Sequence, residues 1–488
     1  MKGQNILQLC LAKCYTKTRV YTNKARQGGN KVSMLMDIKE VDVDIPQKRQ
    51  RFTIGVVGGG STLLQHICVF AEAGFEVVAI DVDHHLINLV KKNTVPSADS
   101  MLNKPVKKYL EDGRLTIIRD IREAASQSDV IVILVQPLTS QKKKPDYSKI
   151  ERICKKLGIG LRSGCLVIVA SSLGSDVIES LIKETLENAS GLKAGVNFGM
   201  AYSPLYTRSK ILTDDSTTCK MVVGAINKQS QDIACLILGT ITKELLIVSD
   251  MKTAEAVRLF RDTYENLNIA LANELARYCE KAGIDFIEVQ STVNKQRHCY
   301  LPTPKITPQE KMNSLYLLLE EAEAVDAKLP LLILARKSND GILHHTLRLV
   351  GNALQACDKP MRRSRISILG VSCRPNEKEF RGSLIKKLVR MMNKKGMHVR
   401  VYDPLFSCEE LTGMGYPAEK TIEKTVEGAD CLVVTIGHDQ FKKLKLRKIK
   451  FIAKGKVAIV DMAHIISPVE AEREGFVYRG IGRGIWTK

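Results

Sequence analysis

The stretch Phe52–Asp81, FTIGVVGGGSTLLQHICVFAEAGFEVVAID, decides the fold. Phe52–Val57 is a strand-like apolar run of the kind buried in a parallel sheet. Gly58-Gly59-Gly60 follows, then a helical stretch, Leu63–Ala73, and a second strand, Glu76–Ile80, that ends in Asp81. In this strand–turn–helix–strand order Gly58 allows a tight turn and Gly60 lets the backbone approach a pyrophosphate. The helix N-terminus then stabilises the phosphate charge. Asp81 can accept hydrogen bonds from an adenosine ribose, which favours NAD over NADP. The third glycine of the fingerprint is missing, and Leu63 stands where close helix–strand packing normally wants no side chain. Two readings stay open: a dinucleotide site, or a Rossmann-like shell that no longer binds.

Outward from this unit, Val130–Val135 and Leu166–Ala170 are further short β-branched runs. Residues 246–357 are expected to be helical. Their longest segment is Thr253–Ala276, TAEAVRLFRDTYENLNIALANELA, in which Leu259, Phe260, Thr263, Leu267, Leu271 and Leu275 recur at spacings of three and four. That spacing predicts one shared buried face. An irregular stretch, Asn294–Asn313, holds Pro302, Pro304 and Pro308, and a second helical block runs from about Leu315 to Ala356. After a basic link, Lys359–Arg365, come strands at Ile366–Val371, Val399–Tyr402, Cys431–Thr435 and Val457–Val460. The fold class is α/β: two Rossmann-like doubly wound domains joined by a central helical domain. The expected divisions are a basic extension (1–50), a dinucleotide-binding domain (51–245), a helical dimerisation domain (246–357) and a second Rossmann-like domain (358–488).

At 488 residues each of these parts can bury its own core. No apolar run is long enough for a membrane-spanning helix. The net charge of +21 admits a polyanionic partner, either a macromolecule or a small phosphorylated ligand. Aromatics are only 5% and the positive charge is scattered, which argues against nucleic acid and for the small ligand. The 13 cysteines are odd in number and widely spread, which suggests reduced thiols in a cytoplasm. No CxxC pair occurs, and Cys10 and Cys14 are too isolated to suggest a zinc site, so no metal is expected. In the extension Lys2, Lys13, Lys17, Arg19, Lys24, Arg26 and Lys31 all precede the first acid, Asp37, as in a loosely docked basic arm or an organelle presequence.

Several ordered blocks carry a resemblance. They are AEAGFEVVAIDVD (71–83), ALANELARYCEKAGIDFIEV on the central helix, RKSND (336–340), ILGVSCRPNEKEFRGS (368–383), VYDP (401–404), GADCLVVTIGHDQF and GFVYRGIGRG. Together they resemble the UDP-glucose/GDP-mannose dehydrogenase family from Phe52 to the C-terminus. Gly437-His438-Asp439 with Phe441 looks nearer the UDP-N-acetylmannosamine branch. The resemblance implies NAD as cofactor, a UDP-sugar bound between the two α/β domains, and a homodimer built through the central helices. It also implies oxidation of a C6 alcohol to a carboxylate by two NAD molecules, through a cysteine-bound thiohemiacetal and thioester.

The family's catalytic positions are altered here. Its lysine is Arg258, which keeps the charge but is effectively never deprotonated. Its asparagine is Asp262, which when ionised can only accept hydrogen bonds. One turn apart, the two form either a compensated ion pair in a vacated site or a rewired site. The glutamate position after Ser203-Pro204 is Leu205, and the threonine position is Ser172, which keeps the hydroxyl. The family's cysteine lies in a GGxC motif with an aspartate four residues on. Cys299 in His298-Cys299 resembles it, but no glycine precedes it and Thr303 replaces the aspartate. Anchored instead on Tyr316-Leu317, the cysteine position falls near Gln309. Cys299 is thus a candidate nucleophile or a plain thiol. The resemblance also makes Arg374 a substrate contact and Arg381 a cofactor contact, and puts Ala463 where an arginine commonly meets the sugar. Three functions remain open: an active UDP-sugar 6-dehydrogenase, a silent relative that binds NAD or nucleotide-sugar as a regulator or partner, and a single-step alcohol dehydrogenase.

Overall fold

The computed structural model describes residues 37–81, 100–139, 145–174, 176–205, 220–307, 309–378 and 383–486. The chain divides into two compact units at Arg258–Leu259, within one long helix.

In the first unit the strands are β1 (Thr53–Gly58), β2 (Glu76–Asp81), β3 (Leu115–Ile117), β4 (Val130–Ile133), β5 (Leu166–Val169), β6 (Gly199–Tyr202), β7 (Met221–Ala225) and β8 (Leu245–Ile247). They form a sheet in the order β8-β7-β6-β5-β4-β1-β2-β3. The pairs are parallel except β6 with β7. The order reverses beside β1, and in a doubly wound sheet such a switch point opens a crevice at the strand C-termini. Helix α1 (Gly60–Glu72) crosses from β1 to β2 and buries Leu63, Leu64, Ile67, Cys68 and Phe70 against β1. The sequence reading passed over β3, β6, β7 and β8. They are short, and β6 and β7 carry glycines that dilute a β-branched signature. Residues 37–50 also belong to this core: Ile38 and Val43 are buried in it, and Arg49 donates to the Ala73 carbonyl at 2.8 Å.

Helix α2 (Met251–Ala282) runs across the division; α3 (Phe286–Val293), α4 (Gln309–Ala324) and α5 (Pro330–Ala356) follow in the second unit. The expected single block at 315–356 is therefore two helices, with Pro330 starting the second at its first turn. The face predicted for α2 is corrected. Leu259 and Thr263 are buried as expected, but Phe260, Leu271 and Leu275 are exposed. The buried stripe is instead Asn266, Ile269, Ala270, Asn273 and Ala276. Small and amide side chains let α5 come close. Asn339 donates to the Asn266 carbonyl at 3.0 Å, Asn273 to Asn339 at 3.4 Å, and Arg277 to Ser338 at 3.1 Å. A reading weighted by large apolar residues picks the other face because it scores asparagine as polar, whereas a hydrogen-bonded asparagine can be buried at little cost.

The second sheet has strands β9 (Arg365–Leu369), β10 (His398–Tyr402), β11 (Cys431–Val434), β12 (Ala458–Asp461) and β13 (Val477–Gly480), all parallel in the order β10-β9-β11-β12-β13. The loop beyond β13 is pressed into the turn between α2 and α3. Phe286 donates its amide to the Gly482 carbonyl at 2.8 Å, Gly482 donates to Glu280 at 2.8 Å, and Arg483 pairs with Asp285 at 2.7 Å. A side chain at Gly484 would lie 2.0 Å from the Cys279 carbonyl oxygen. No helix among the described residues is long and apolar enough to cross a membrane.

Two predictions follow from this packing. Gly484→Ala should lower stability by about 1–3 kcal/mol through overpacking. Gly341→Ala, mid-α5 with open space around it, should instead raise stability by up to about 1 kcal/mol; denaturant unfolding of both variants checks the contrast. The second concerns His464, just beyond β12. Burial and the Arg483 charge push its imidazole from 6.5 down to about 4, against the Pro304 carbonyl and Asp285. A base with a depressed folded pKa contributes stability above its unfolded value, and that stability is lost as protons bind the unfolded chain more tightly. Between pH 6.5 and about 4 the melting temperature of the natural chain should therefore fall further than that of His464→Asn. Equal falls would show that His464 makes no such contribution.

Candidate functional site

In the first unit Gly58 ends β1 in register with Asp81 at the end of β2. Helix α1 begins at Gly60, whose φ is +64°, and its N-cap Gly59 offers no capping side chain. The first-turn amides thus suit an anion. A Cβ on Gly58 would stand 3.2 Å from that of Leu134 and 3.7 Å from that of Leu63. Leu63 is fully buried. Its side chain packs into the core beside the space that Gly58 leaves empty, so the missing third glycine does not keep α1 off the sheet. The cradle fits a dinucleotide pyrophosphate against Gly58 and Gly60, and Asp81 ends the neighbouring strand.

Beside it, at the C-terminal ends of β4, β5 and β6, lie Ser172, Tyr202 and Arg258. Arg258 is 4% exposed. Its Nε donates to the Tyr202 hydroxyl at 2.8 Å and its Nη2 to the Leu173 carbonyl at 3.3 Å. The guanidinium is thereby fixed to the ends of two strands. The adjoining Ser172 is half-buried and donates its backbone amide to Gln136 Oε1 at 3.0 Å. Leu205 packs against the apolar core of the first sheet and carries no group able to move a proton.

In the second unit Asp262 Oδ2 accepts from the Ser314 hydroxyl at 2.9 Å, and Oδ1 accepts from Arg261 at 2.9 Å. The start of α4 is thus what meets Asp262. Cys299 lies elsewhere. It is exposed and lines an apolar groove of about 440 Å³ with Leu271, Leu275, Tyr278 and Tyr300. Those helix positions are nine to sixteen residues beyond Asp262, roughly 14–24 Å along the axis at the helical rise. Thr303, four residues after Cys299, is occupied as an acceptor for Gln290 at 3.1 Å. Asp262 and Cys299 therefore do not converge on one centre.

At the carboxyl edge of the second sheet, Arg374 sits in the loop after β9 and pairs with Glu377 at 3.3 Å. Asp403, just beyond β10, is fully buried and accepts from the Val371 amide at 2.7 Å and the Ser372 hydroxyl at 2.9 Å. Burial alone would raise its carboxyl. The hydrogen bond from His438 and the Val371 and Leu405 amides outweigh that and hold it below the usual range. Ala463 offers only its amide, to Asp461. Arg381 lies outside the described residues.

Sequence reasoning missed Tyr202, Ser314 and the Asp403–His438 pair. For Ser314 a signal existed, since anchoring on Tyr316 draws attention to the start of α4, where Ser314 donates to Asp262. Tyr202 bonds Arg258 across 56 residues, and Asp403 meets His438 across 35, so neither contact is visible in a local pattern, although VYDP and Gly437-His438-Asp439 were noted as blocks.

Comparison with known proteins agrees with this geometry. Residues 52–242 match the NAD binding domain of the UDP-glucose/GDP-mannose dehydrogenase family. Residues 252–341 match its central domain and 367–468 its UDP binding domain. The chain is 27% identical over 438 residues to the UDP-N-acetyl-D-mannosamine dehydrogenase of Pyrococcus horikoshii, covering 88% of this chain and 99% of that protein. It is 25% identical over 449 residues to a UDP-glucose 6-dehydrogenase of Bacillus subtilis, covering 88% and 93%. The solved structure of the Pyrococcus horikoshii UDP-D-ManNAc dehydrogenase superposes with a TM-score of 0.77 at 26% identity, over 89% of this chain and all of the other. With three consecutive domain matches in the family's order, a cradle that fits NAD and a second parallel sheet at the UDP position, this chain belongs to the UDP-glucose/GDP-mannose dehydrogenase family of NAD-dependent UDP-sugar dehydrogenases.

Proposed function

We propose that this chain binds NAD and a UDP-sugar but does not carry the sugar through two oxidations to a carboxylate. UDP-N-acetylmannosamine is the leading ligand, in keeping with the relatives named above. The hydrogen bond between Ser314 and Asp262 carries the reading. It favours anchoring the family's cysteine motif on Tyr316, which puts the nucleophile near Gln309; four residues on from Gln309 and Glu310 stand Asn313 and Ser314. None of these residues has a thiol, so no thiohemiacetal forms there.

Bound NAD would accept hydride. The chain's own residues bind and orient. Arg258 holds a fixed positive charge at the ends of β5 and β6, able to stabilise an oxyanion but not to relay a proton. Asp262 opposes negative charge where the family places a donor. Leu205 replaces the glutamate that would assist. The hydroxyl of Ser172 favours a second reading, one hydride transfer without the covalent step. The function is then a nucleotide-sugar sensor or partner in the first case and a single-step alcohol dehydrogenase in the second.

Exposed Phe260, Tyr264, Leu271, Leu275 and Tyr278 on α2 support a homodimer formed through this face. Five large apolar side chains along one helix make the kind of patch that monomers rarely leave bare.

Two measurements test these proposals. Purified protein with NAD and a panel of UDP-sugars should release no NADH, or one per sugar. Its melting temperature should nonetheless rise with each ligand, about 2.7 kcal/mol of stabilisation being expected at a hundredfold excess over Kd. Two NADH per sugar, abolished by Cys299→Ala, would restore the double oxidation and overturn the reading. Sedimentation should give twice the 54.3 kDa chain mass, falling to one chain in Leu275→Asp; a monomeric natural chain would refute the dimer.

A further inference from the structure

The loop that carries Arg374 is held from both flanking strands of the second sheet. β9 lies between β10 and β11. From the β10 side, Asp403 takes the Val371 amide, the Ser372 amide and the Ser372 hydroxyl. From the β11 side, His438 reaches the far end of the loop, where the Asn376 amide donates to Nδ1 at 2.9 Å. A backbone amide is an obligate donor, so Nδ1 is an acceptor and the proton sits on Nε2. Nε2 in turn faces Asp403 Oδ2 at 3.3 Å. The imidazole is 1% exposed and has Phe441 against it edge to face, at 5.3 Å.

This assignment rules out a general-base role for His438, since its only basic nitrogen is already engaged by the backbone. The ring is a splint that joins a buried carboxylate to a loop amide. The splinted residue is itself unusual. Asn376 adopts φ +60°, a left-handed conformation, and exchanges two hydrogen bonds with Asp439: its Nδ2 donates at 2.8 Å and its Oδ1 accepts the Asp439 amide at 3.1 Å. Asn376 lies two residues beyond Arg374, so its conformation sets the direction in which the chain leaves the arginine.

We propose that His438 is a positioning residue for nucleotide-sugar binding: through Nδ1 and the Asn376 amide it fixes the turn that presents Arg374 to the diphosphate of the ligand. This rests on the reading that the second sheet takes the UDP moiety with Arg374 as an anion contact. Arginine gains most from a phosphate when its fork is held in one orientation, because little side-chain freedom is then lost on binding. A turn free to leave the left-handed region would spread Arg374 over many orientations.

The two nitrogens can be separated by substitution. Asn places its amide oxygen close to the Nδ1 position, and Gln places its amide close to the Nε2 position. Full-length chain would be titrated calorimetrically with UDP, and separately with NAD. His438→Asn should bind UDP within about twofold of the natural chain, while His438→Gln should bind about tenfold more weakly, the loss expected from a misplaced charge-assisted hydrogen bond. NAD affinity should be unchanged in both. Arg374→Ala should weaken UDP binding, and adding His438→Gln to it should cost nothing further. Full UDP affinity in folded His438→Gln, with Arg374→Ala weakened, overturns the positioning role alone. An additive double variant, or equal losses in Asn and Gln variants, overturns it as well. A natural chain that does not bind UDP, or an Arg374→Ala variant that binds as well, overturns the underlying reading and the positioning role with it.

Discussion

The buried guanidinium of Arg258 constrains the functional half of the first unit. A charge taken out of water must be paired and hydrogen-bonded, or its burial costs several kcal/mol. Here the Tyr202 hydroxyl and the Leu173 carbonyl answer it, one from the end of β6 and one just beyond β5. A lysine has a single nitrogen at the tip of a flexible stem, whereas the planar fork of arginine spans two acceptors at once. Arg258 is thereby a pin between strand ends.

The second unit follows the same rule with different groups. Between α2 and α5 the contact is made of Asn266, Asn273, Ser338, Asn339 and alanines, so the helices approach closely, with Asn339 bonded to the Asn266 carbonyl and to the Asn273 amide. The loop beyond β13 enters the α2–α3 turn only because Gly482 and Gly484 have no side chains there. At the edge of the second sheet, Asp403 and His438 tie the β9 loop to its two neighbours. In each case polar groups with several partners define the arrangement, and Phe260, Leu271, Leu275 and Tyr278 of α2 are left facing outward.

The opening strand–turn–helix–strand unit was read correctly from local signals. The turn at Gly58–Gly60, the helix that follows it and Asp81 at the next strand end lie within 24 residues, and backbone sterics act over that range. The alternation of strand and helix identified both α/β units, although the short strands β3, β6, β7, β8 and β13 escaped notice. The inner face of α2 was misjudged, since its partners on α5 stand more than sixty residues away and reward asparagine rather than leucine. At Cys299 two anchors in the sequence competed for a related reason, and the partner of Asp262 proved to be Ser314, 52 residues away.

The sequence by itself determined the fold class, the strand–turn–helix–strand unit that opens the first sheet, and the presence of Arg258, Asp262 and Leu205 at their positions. These depend on the identity of residues and on spacings of a few positions, which the chain carries openly. Tertiary structure alone decided what those residues do. It committed Arg258 to Tyr202, brought Ser314 rather than Cys299 to Asp262, and placed His438 between Asp403 and Asn376. Hydrogen bonds between groups distant along the chain are fixed by packing of the whole unit, and a residue's chemistry is set by the partner it is given.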